Sequence, residues 1–378
     1  MSLQAKQERR RKFAEDLAKR QGKDVEVIVR ENALPCLPAK SLLKFRVVCK
    51  DWCQLIATPF FTHNQSHKFR KMSGLFHQSQ MGGLAPAFIP VDVAAYGVPD
   101  PSLSFLPVPV NIKSSTNGLL LCQGQTGEKR YYVCNPVNMQ WKVLPKQTCD
   151  HGSDPAVVLV FEPSVLNFSA DYKVVCAIAS VEFPDATEFE IYSSEKNSWK
   201  LSREICFNQK VVPTSGLYVD KTVYWQSSRA ILAFDPISEH AVTHGAYASY
   251  RSCYIEMNGQ LCYGSLAGKK LSVYPANLYQ NTMPMNMYGS KPKLDVVVDI
   301  LSPGNTSGAR DYMGNREGAQ VLPSVSGDVL VFKTGGTITS YNICTKQFKD
   351  LHKSESGQDY FNGRFFAYVN SLVSVSSI

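Results

Sequence analysis

Beyond Met72 the sequence keeps returning to one short pattern: a β-type run, a turn-forming pair, then a polar step that ends on an aromatic. It runs from Tyr131 to Trp141 through Asn135-Pro136, from Phe189 to Trp199 through Ser193-Ser194, and from Thr339 to Phe348 through Asn342. A further copy, Ile231 to Ala241 through Asp235-Pro236, lacks the closing aromatic. A second pattern is a hairpin with an apolar exit. Asn117-Gly118 leads into Leu119, Leu120 and Leu121, Asp220-Lys221 into Val223, Tyr224 and Trp225, Asn258-Gly259 into Leu261 and Tyr263, and Ser326-Gly327 into Val329, Leu330, Val331 and Phe332. Where copies neighbour one another the step is about 40 to 60 residues, near the blade length of β-propellers. A four-stranded blade cannot cover both of its faces alone, and a ring of blades hides them while leaving only short edges. The spacing is irregular, so an antiparallel sandwich or a set of packed meanders stays open beside the propeller.

Between Asp24 and about Arg70 the period becomes helical, and Pro35, Pro38 and Pro59 cut the stretch into short pieces. Pro38 fits the first turn of a helix, where its missing N–H would have no intrahelical acceptor. Leu42, Phe45 and Cys49 stand at i, i+3 and i+7, and Val48, Trp52, Leu55 and Ile56 at i, i+4, i+7 and i+8, each set marking one face. This spacing predicts two short amphipathic helices. So small a unit buries little surface alone and needs a partner or a neighbouring domain to cover it. Ahead of it, Lys6 to Lys23 is a charged stretch, flexible or a frayed helix. Its Arg9-Arg10-Arg11-Lys12 run is either a solvated face or a nuclear import signal.

At 378 residues and 44% apolar composition the chain can hold a small module and a large one with a real core. No apolar run reaches the roughly 18 residues that cross a bilayer, and no apolar stretch follows the basic start as in a signal peptide. The expected location is therefore the nucleus or the cytoplasm, with no membrane partner. Eleven cysteines scattered from Cys36 to Cys344 suit reduced, buried thiols better than a disulfide framework. The net charge of +8 suggests nucleic acid until it is located. Residues 1–23 carry eight basic groups against three acidic, residues 24–71 eight against four, and residues 72–378 one net negative charge. The large domain is close to neutral, and no nucleic-acid partner is expected.

The chemistry of an enzyme is hard to find. There is no Gly-x-Ser-x-Gly elbow, no protease-like setting around a cysteine, and no phosphate-cradling glycine loop. His63 and His67, and again His240 and His244, are four apart, but zinc proteases add a Glu after the first His, where Asn64 and Ala241 stand. Cys49 and Cys53 are also four apart without a second pair, and read as one packed helix face. No catalytic residue, metal or cofactor is expected. The rival is a propeller enzyme, a lyase or an oxidase, with a helical appendage, which would need acids, histidines or a metal converging at the ring's centre. Residues 280–318 interrupt the β texture with Met283, Met285, Met287 and Tyr288 among prolines and glycines. They are either a recognition loop, since Met adapts to differently shaped partners, or a surface insertion without a role.

The run Leu34-Pro35-Cys36-Leu37-Pro38-Ala39-Lys40-Ser41-Leu42-Leu43-Lys44-Phe45-Arg46-Val47-Val48-Cys49-Lys50-Asp51-Trp52 resembles the plant F-box, whose core reads Leu-Pro, a Lys-Ser-Leu step, then Val-Cys-Lys and a Trp. Leu55-Ile56-Ala57-Thr58-Pro59-Phe60-Phe61 resembles its end. The match is dense over about a tenth of the chain. It departs at its front edge, where Gly22-Lys23 stand before Asp24 in place of the usual Leu-Pro. Farther on, the Ser115 to Leu120 step, the Asn135-Pro136 turn and the Leu144-Pro145 pair resemble the F-box-associated domain of those proteins, and Phe365 to Val373 resembles its closing strand. Kelch repeats fit poorly, with Gly335-Gly336 the only double glycine in a plausible blade position.

The resemblance implies an α+β multidomain chain: a basic N-terminus over 1–23, a small all-α F-box module over 24–70, and a large all-β propeller-like substrate-binding domain over 71–378. It implies a non-catalytic substrate receptor of an SCF-type ubiquitin ligase. Leu34, Pro35, Leu37, Pro38, Leu42, Leu43, Val48, Cys49 and Trp52 would form or support the face that docks a Skp-type adaptor, and through it a cullin scaffold. Trp52 would be either an anchor on that face or internal to the module. The β domain would hold an unidentified target protein. A scaffold that binds the adaptor without ligase work is the third alternative.

Overall fold

The computed structural model describes residues 27–79, 84–164, 166–227, 230–245, 252–267, 270–276, 279–280, 296–299, 320–325, 327–353 and 363–375. The basic N-terminal stretch lies outside them. The chain enters through one π-turn, Val29–Ala33, and a 3-10 turn, Leu34–Cys36, followed by α1 (Ala39–Phe45), α2 (Lys50–Ala57) and α3 (Pro59–Lys68). Pro38 sits one place before α1 in the extended conformation, and Pro59 opens α3. Cys49 ends the linker in an extended conformation, and its Sγ accepts the Trp52 N–H at 3.4 Å. Thr58 Oγ1 accepts the Phe61 N–H at 3.2 Å. The helix that the periodicity carried through Val48 is therefore broken between Phe45 and Lys50. Three helices stand where two were predicted.

The remaining strands form six antiparallel sheets, the blades of a propeller. Blade 1 holds β1 (Gly74–Ser79), β2 (Ala87–Pro90) and the last strand, β24 (Gly363–Tyr368). Blade 2 holds β3 (Val110–Thr116), β4 (Leu119–Gly124), β5 (Tyr131–Asn135) and β6 (Gln140–Val143). Blade 3 holds β7 (Ala156–Val160), β8 (Lys173–Ala179), β9 (Thr187–Ser193) and β10 (Ser198–Cys206). Blade 4 holds β11 (Leu217–Val219), β12 (Thr222–Gln226), β13 (Ala230–Asp235) and β14 (His240–Gly245), extended by β18 (Tyr279–Gln280). Blade 5 holds β15 (Ser252–Met257), β16 (Gln260–Ala267), β17 (Lys270–Pro275) and β19 (Val296–Asp299). Blade 6 holds β20 (Gln320–Leu322), β21 (Val329–Thr334), β22 (Thr337–Asn342) and β23 (Gln347–Lys353).

The first strands of successive blades neighbour one another, β24 beside β3, then β7, β11, β15 and β20, and so form the inner ring. β24 pairs with β1 from Gly74↔Tyr368 to Ser79↔Gly363, so the two ends of the domain share blade 1 and no sheet edge is left between them. Six blades in a ring exclude the sandwich alternative. The repeated turn-forming pairs follow from local chemistry. In the first hairpin of blades 2, 4 and 5, both central residues have positive φ, as a type I′ turn requires: Asn117 and Gly118, Asp220 and Lys221, Asn258 and Gly259. In the last hairpin of blades 2, 4 and 6, a side-chain oxygen of Asn135, Asp235 or Asn342 accepts a backbone N–H two or three residues on, at 2.8–2.9 Å. Ser193 does the same in blade 3 at 3.4 Å. Four residues after each, Met139, Glu239, Lys346 and Asn197 are left-handed, which turns the chain back into the outer strand.

Apolar side chains fill the seams between blades, for example Phe189 of blade 3 stacked on Phe234 of blade 4 at 4.2 Å. Cys122, Cys134, Cys176 and Cys262 lie in these cores, and all eleven cysteines are free thiols. Among the described residues no helix is long and apolar enough to cross a membrane.

Candidate protein-docking site

The helical module presents two different faces. Inward, Leu34, Ala39, Leu42, Ile56 and Phe61 join Phe76, Leu103, Leu120, Tyr368 and Leu372 of the propeller side in a single buried core. Outward, Val47 is 87% exposed and Val48 62%, both in the turn between α1 and α2, and Phe60 is 67% exposed at the start of α3. Val27 and Ile28 are exposed as well. The seam that covers the inner face therefore leaves large apolar groups in water at both ends of α2.

The seam is built around the end of the chain. After β24, residues 369–375 run without regular secondary structure between α3 and blade 2, all buried except half-buried Ser374. Gln65, fully buried on α3, accepts the Leu372 N–H at 2.9 Å through Oε1 and donates through Nε2 to the carbonyls of Leu37 at 3.2 Å and Asn370 at 3.4 Å. From the other side, buried Asn135 donates to the carbonyls of Ser371 at 2.9 Å and Val373 at 2.8 Å. Gly118 has φ of +94°, and a Cβ there would stand 2.3 Å from the Ser371 Cβ, so the tail passes where only glycine leaves room. His67 Nδ1 lies 3.1 Å from the Pro163 carbonyl, to which Arg70 also donates at 2.5 Å, and Lys40 donates to the Val93 carbonyl at 2.6 Å.

The nine side chains singled out from the F-box resemblance divide among these environments. Leu34, Pro35 and Leu42 are buried, with Leu34 and Leu42 in the core shared with the propeller. Leu37, Pro38, Leu43 and Trp52 are half-buried, and Val48 and Cys49 are exposed. Trp52 packs its ring edge-on against Phe45 at 5.5 Å and keeps part of its surface in water, so it serves the module's interior and its surface at once. Val47 and Phe60, the most exposed apolar groups of the helical module, lie inside the same motif but outside those nine. Periodicity assigns residues to a face without saying which face the rest of the chain covers. Met283, Met285, Met287 and Tyr288 lie outside the described residues.

The histidine pairs do not converge. His63 packs on Phe168, ring centroids 5.1 Å apart, and burial together with the nearby His67 lowers its pKa. His240 and His244 stand on strand β14 rather than on a helix, and His240 Nδ1 faces Glu204 Oε1 at 3.1 Å. Among the described residues no three His, Cys, Asp or Glu side chains are grouped to hold a metal ion.

Among the described residues one arrangement resembles a proton relay, and it is sealed. Tyr131 OH lies 2.9 Å from His151 Nδ1, and His151 Nε2 lies 2.5 Å from Glu190 Oε2. Glu190 also accepts from the Thr148 N–H at 2.8 Å and the Thr148 hydroxyl at 2.5 Å. Burial alone would raise the Glu190 carboxyl, but hydrogen bonds from His151 and Thr148 outweigh it and hold its pKa below the usual carboxylate value. Burial pushes the Tyr131 phenol well up. All three side chains are buried, so no substrate reaches them. They are a polar staple between blades 2 and 3.

Comparison with known proteins agrees with this architecture. Residues 31–64 match the F-box domain, and residues 101–256 match the family described as F-box protein At3g26010-like, beta-propeller. The chain is 29% identical over 231 residues to F-box protein At5g07610 of Arabidopsis thaliana, covering 53% of this chain and 52% of that one. It is 36% identical over 110 residues to F-box protein At5g49610 of the same plant, covering 29% and 30%. It is 27% identical over 217 residues to F-box/LRR-repeat/kelch-repeat protein At2g27520, covering 55% and 56%. The match spans about half the length, or less, of these curated relatives. The chain thus carries an F-box domain followed by a six-bladed β-propeller of the kind found in F-box proteins.

Proposed function

We propose that this chain is the substrate-recognition subunit of an SCF-type E3 ubiquitin ligase, a receptor that performs no chemistry itself. The outer face of the F-box helices docks a Skp-type adaptor and, through it, a cullin scaffold. The propeller holds a target protein within reach of the transferred ubiquitin, so the rate gain comes from proximity. The observation that carries this reading is the division of the F-box into a face closed by its own propeller and a face that keeps Val47, Val48 and Phe60 in water. Covering a Val or Phe side chain removes enough apolar surface to contribute about 1.5–3 kcal/mol, so three such groups can supply the core of a stable interface. The same reading assigns the receptor to the nucleus or the cytoplasm.

The test is recovery of a purified Skp-type adaptor on the full-length chain. Val48→Glu combined with Phe60→Ser removes two of the three outer apolar groups and sets a charge beside Val47 without touching the core, so the thermal midpoint should hold while adaptor recovery is lost. Unchanged recovery with the fold intact would refute the docking face. These positions separate docking from folding better than Leu37 and Pro38, which are half-buried and lie beside the Gln65 seam.

A further inference from the structure

Two aromatic rings, Phe183 and Phe207, meet edge-on with centroids 5.2 Å apart and remain in solvent. They belong to blade 3, at the end of the ring farthest from the F-box. The F-box and the C-terminal tail touch the propeller at Gly118 between β3 and β4, at Asn138 between β5 and β6, and at Pro163 and Phe168 between β7 and β8. In an antiparallel blade successive connections lie at opposite ends, so the β8–β9 and β10–β11 connections emerge on the other face of the ring. Val181 and Phe183 lie on the first of these, Phe207 and Val212 on the second. Val181 is 99% exposed, Phe207 56% and Phe183 39%.

These side chains are not spare core residues, because the buried positions where the first connection enters β9 are already filled by Ala186 and Thr187. Nor are they on a slack loop. The Gln209 N–H donates to the Asp185 carbonyl at 3.2 Å, and Thr187 Oγ1 donates to the Gln209 carbonyl at 2.6 Å, which ties the two connections together. Ser227 Oγ donates to Gln209 Oε1 at 2.5 Å, and the Val212 N–H donates to the Gln226 carbonyl at 2.8 Å, which anchors them to blade 4. An exposed aromatic pair on a fixed backbone has the composition and the rigidity of a binding hot spot, since little side-chain freedom remains to be lost on docking. The charged side chains of the two connections themselves are the carboxylates Glu182 and Asp185 against Lys210, and Glu188 follows at the start of β9, its Oε1 accepting from Ser180 Oγ at 2.5 Å.

We infer that this patch is the seat of the target's recognition segment, an extended stretch of protein that presents apolar side chains next to Lys or Arg. The inference rests on the receptor reading above and gives it a substrate class. Its aromatic pair takes the apolar side chains, and the acidic rim selects the basic flanks and repels acidic ones.

The test uses the full-length chain and three fluorescent peptides of about a dozen residues that share one Leu- and Phe-containing core and differ only in having basic, neutral or acidic flanks. The basic-flanked peptide should bind at least about tenfold tighter than the acidic one by fluorescence anisotropy, and added salt should shrink the difference. Phe183→Ser with Phe207→Ser should abolish binding, and Glu182→Lys with Asp185→Lys should reverse the preference among flanks. Adaptor recovery, measured on the same variants, should not change. Equal binding of the three peptides, or binding indifferent to both double variants, would overturn the inference and leave the ligase reading standing. Loss of adaptor binding by the unaltered chain would remove the ligase reading whatever the peptides do.

Discussion

Gln65 couples the F-box to the propeller, and its removal has a size that can be worked out from its partners. Gln65→Ala leaves the Leu372 N–H buried with no acceptor, which costs about 1–3 kcal/mol. It also withdraws a donor from the Leu37 and Asn370 carbonyls and opens a small void in a close-packed seam, adding about 1 kcal/mol. The expected total is about 2–4 kcal/mol, spent on opening the seam rather than on unfolding the blades. Gln65→Leu fills most of the space without restoring any hydrogen bond, so it should recover only the packing share. Hydrogen exchange read by mass spectrometry is the suitable assay, because sub-global opening shows up segment by segment. Segments covering α3 and residues 369–375 should exchange about thirty to several hundred times faster in Gln65→Ala, while β8, β9 and β13 keep their protection. Exchange that stays within about threefold of the unaltered chain in α3 and the tail would refute the seam as a mechanical link. So would an equal loss of protection in all blades.

Two further perturbations test other parts of the structure. Gly118→Ala should cost about 1–3 kcal/mol in denaturant unfolding from its left-handed φ and its collision with Ser371, and adding Ser371→Gly should relieve the collision but not the backbone strain; full rescue, or no initial loss, would contradict this account. The depressed pKa of Glu190 means that its stabilisation is fully present above the carboxyl's unfolded value and is lost as pH falls through the folded value. In Glu190→Gln one oxygen becomes a donor facing donors, so the variant should be less stable near neutrality by about 1–3 kcal/mol and lose less stability than the unaltered chain between about pH 5 and pH 3. Parallel acid profiles for the two proteins would count against the staple.

The blades could be read from the sequence wherever a turn had local chemistry of its own. Asn135, Asp235 and Asn342 announce their hairpins because the side chain closes the turn, and the left-handed residue four places on follows from the same geometry. The β7–β8 connection, residues 161–172, carries no such adjacent pair: Asn167 Oδ1 closes its turn by accepting the Asp171 N–H at 2.7 Å, but it stands seven residues past the end of β7, too far to mark a tight hairpin. The assembly of blade 1 from β1 and β24 joins residues nearly the whole domain apart, and no local pattern can encode that. The closing strand read as Phe365 to Val373 ends at Tyr368. Beyond it the Asn370 N–H is taken by Ser73 Oγ and the Leu372 N–H by Gln65, so the chain leaves the sheet and becomes the seam. The same limit applies to the F-box. Its motif identified the apolar positions, but which of them face water depends on where the propeller lies, a fact carried by Leu103, Leu120 and Tyr368, far along the chain.

Side-chain oxidation footprinting of the full-length chain, alone and with a purified Skp-type adaptor, measures both faces of the F-box at once. Val47, Val48 and Phe60 should label strongly in the free chain and fall sharply in the complex, while Leu42, Ile56 and Phe61 stay unlabelled in both. Equal labelling of Val48 and Phe60 with and without the adaptor, or strong labelling of Leu42 and Ile56 in the free chain, would contradict the two-faced module from which the function is argued.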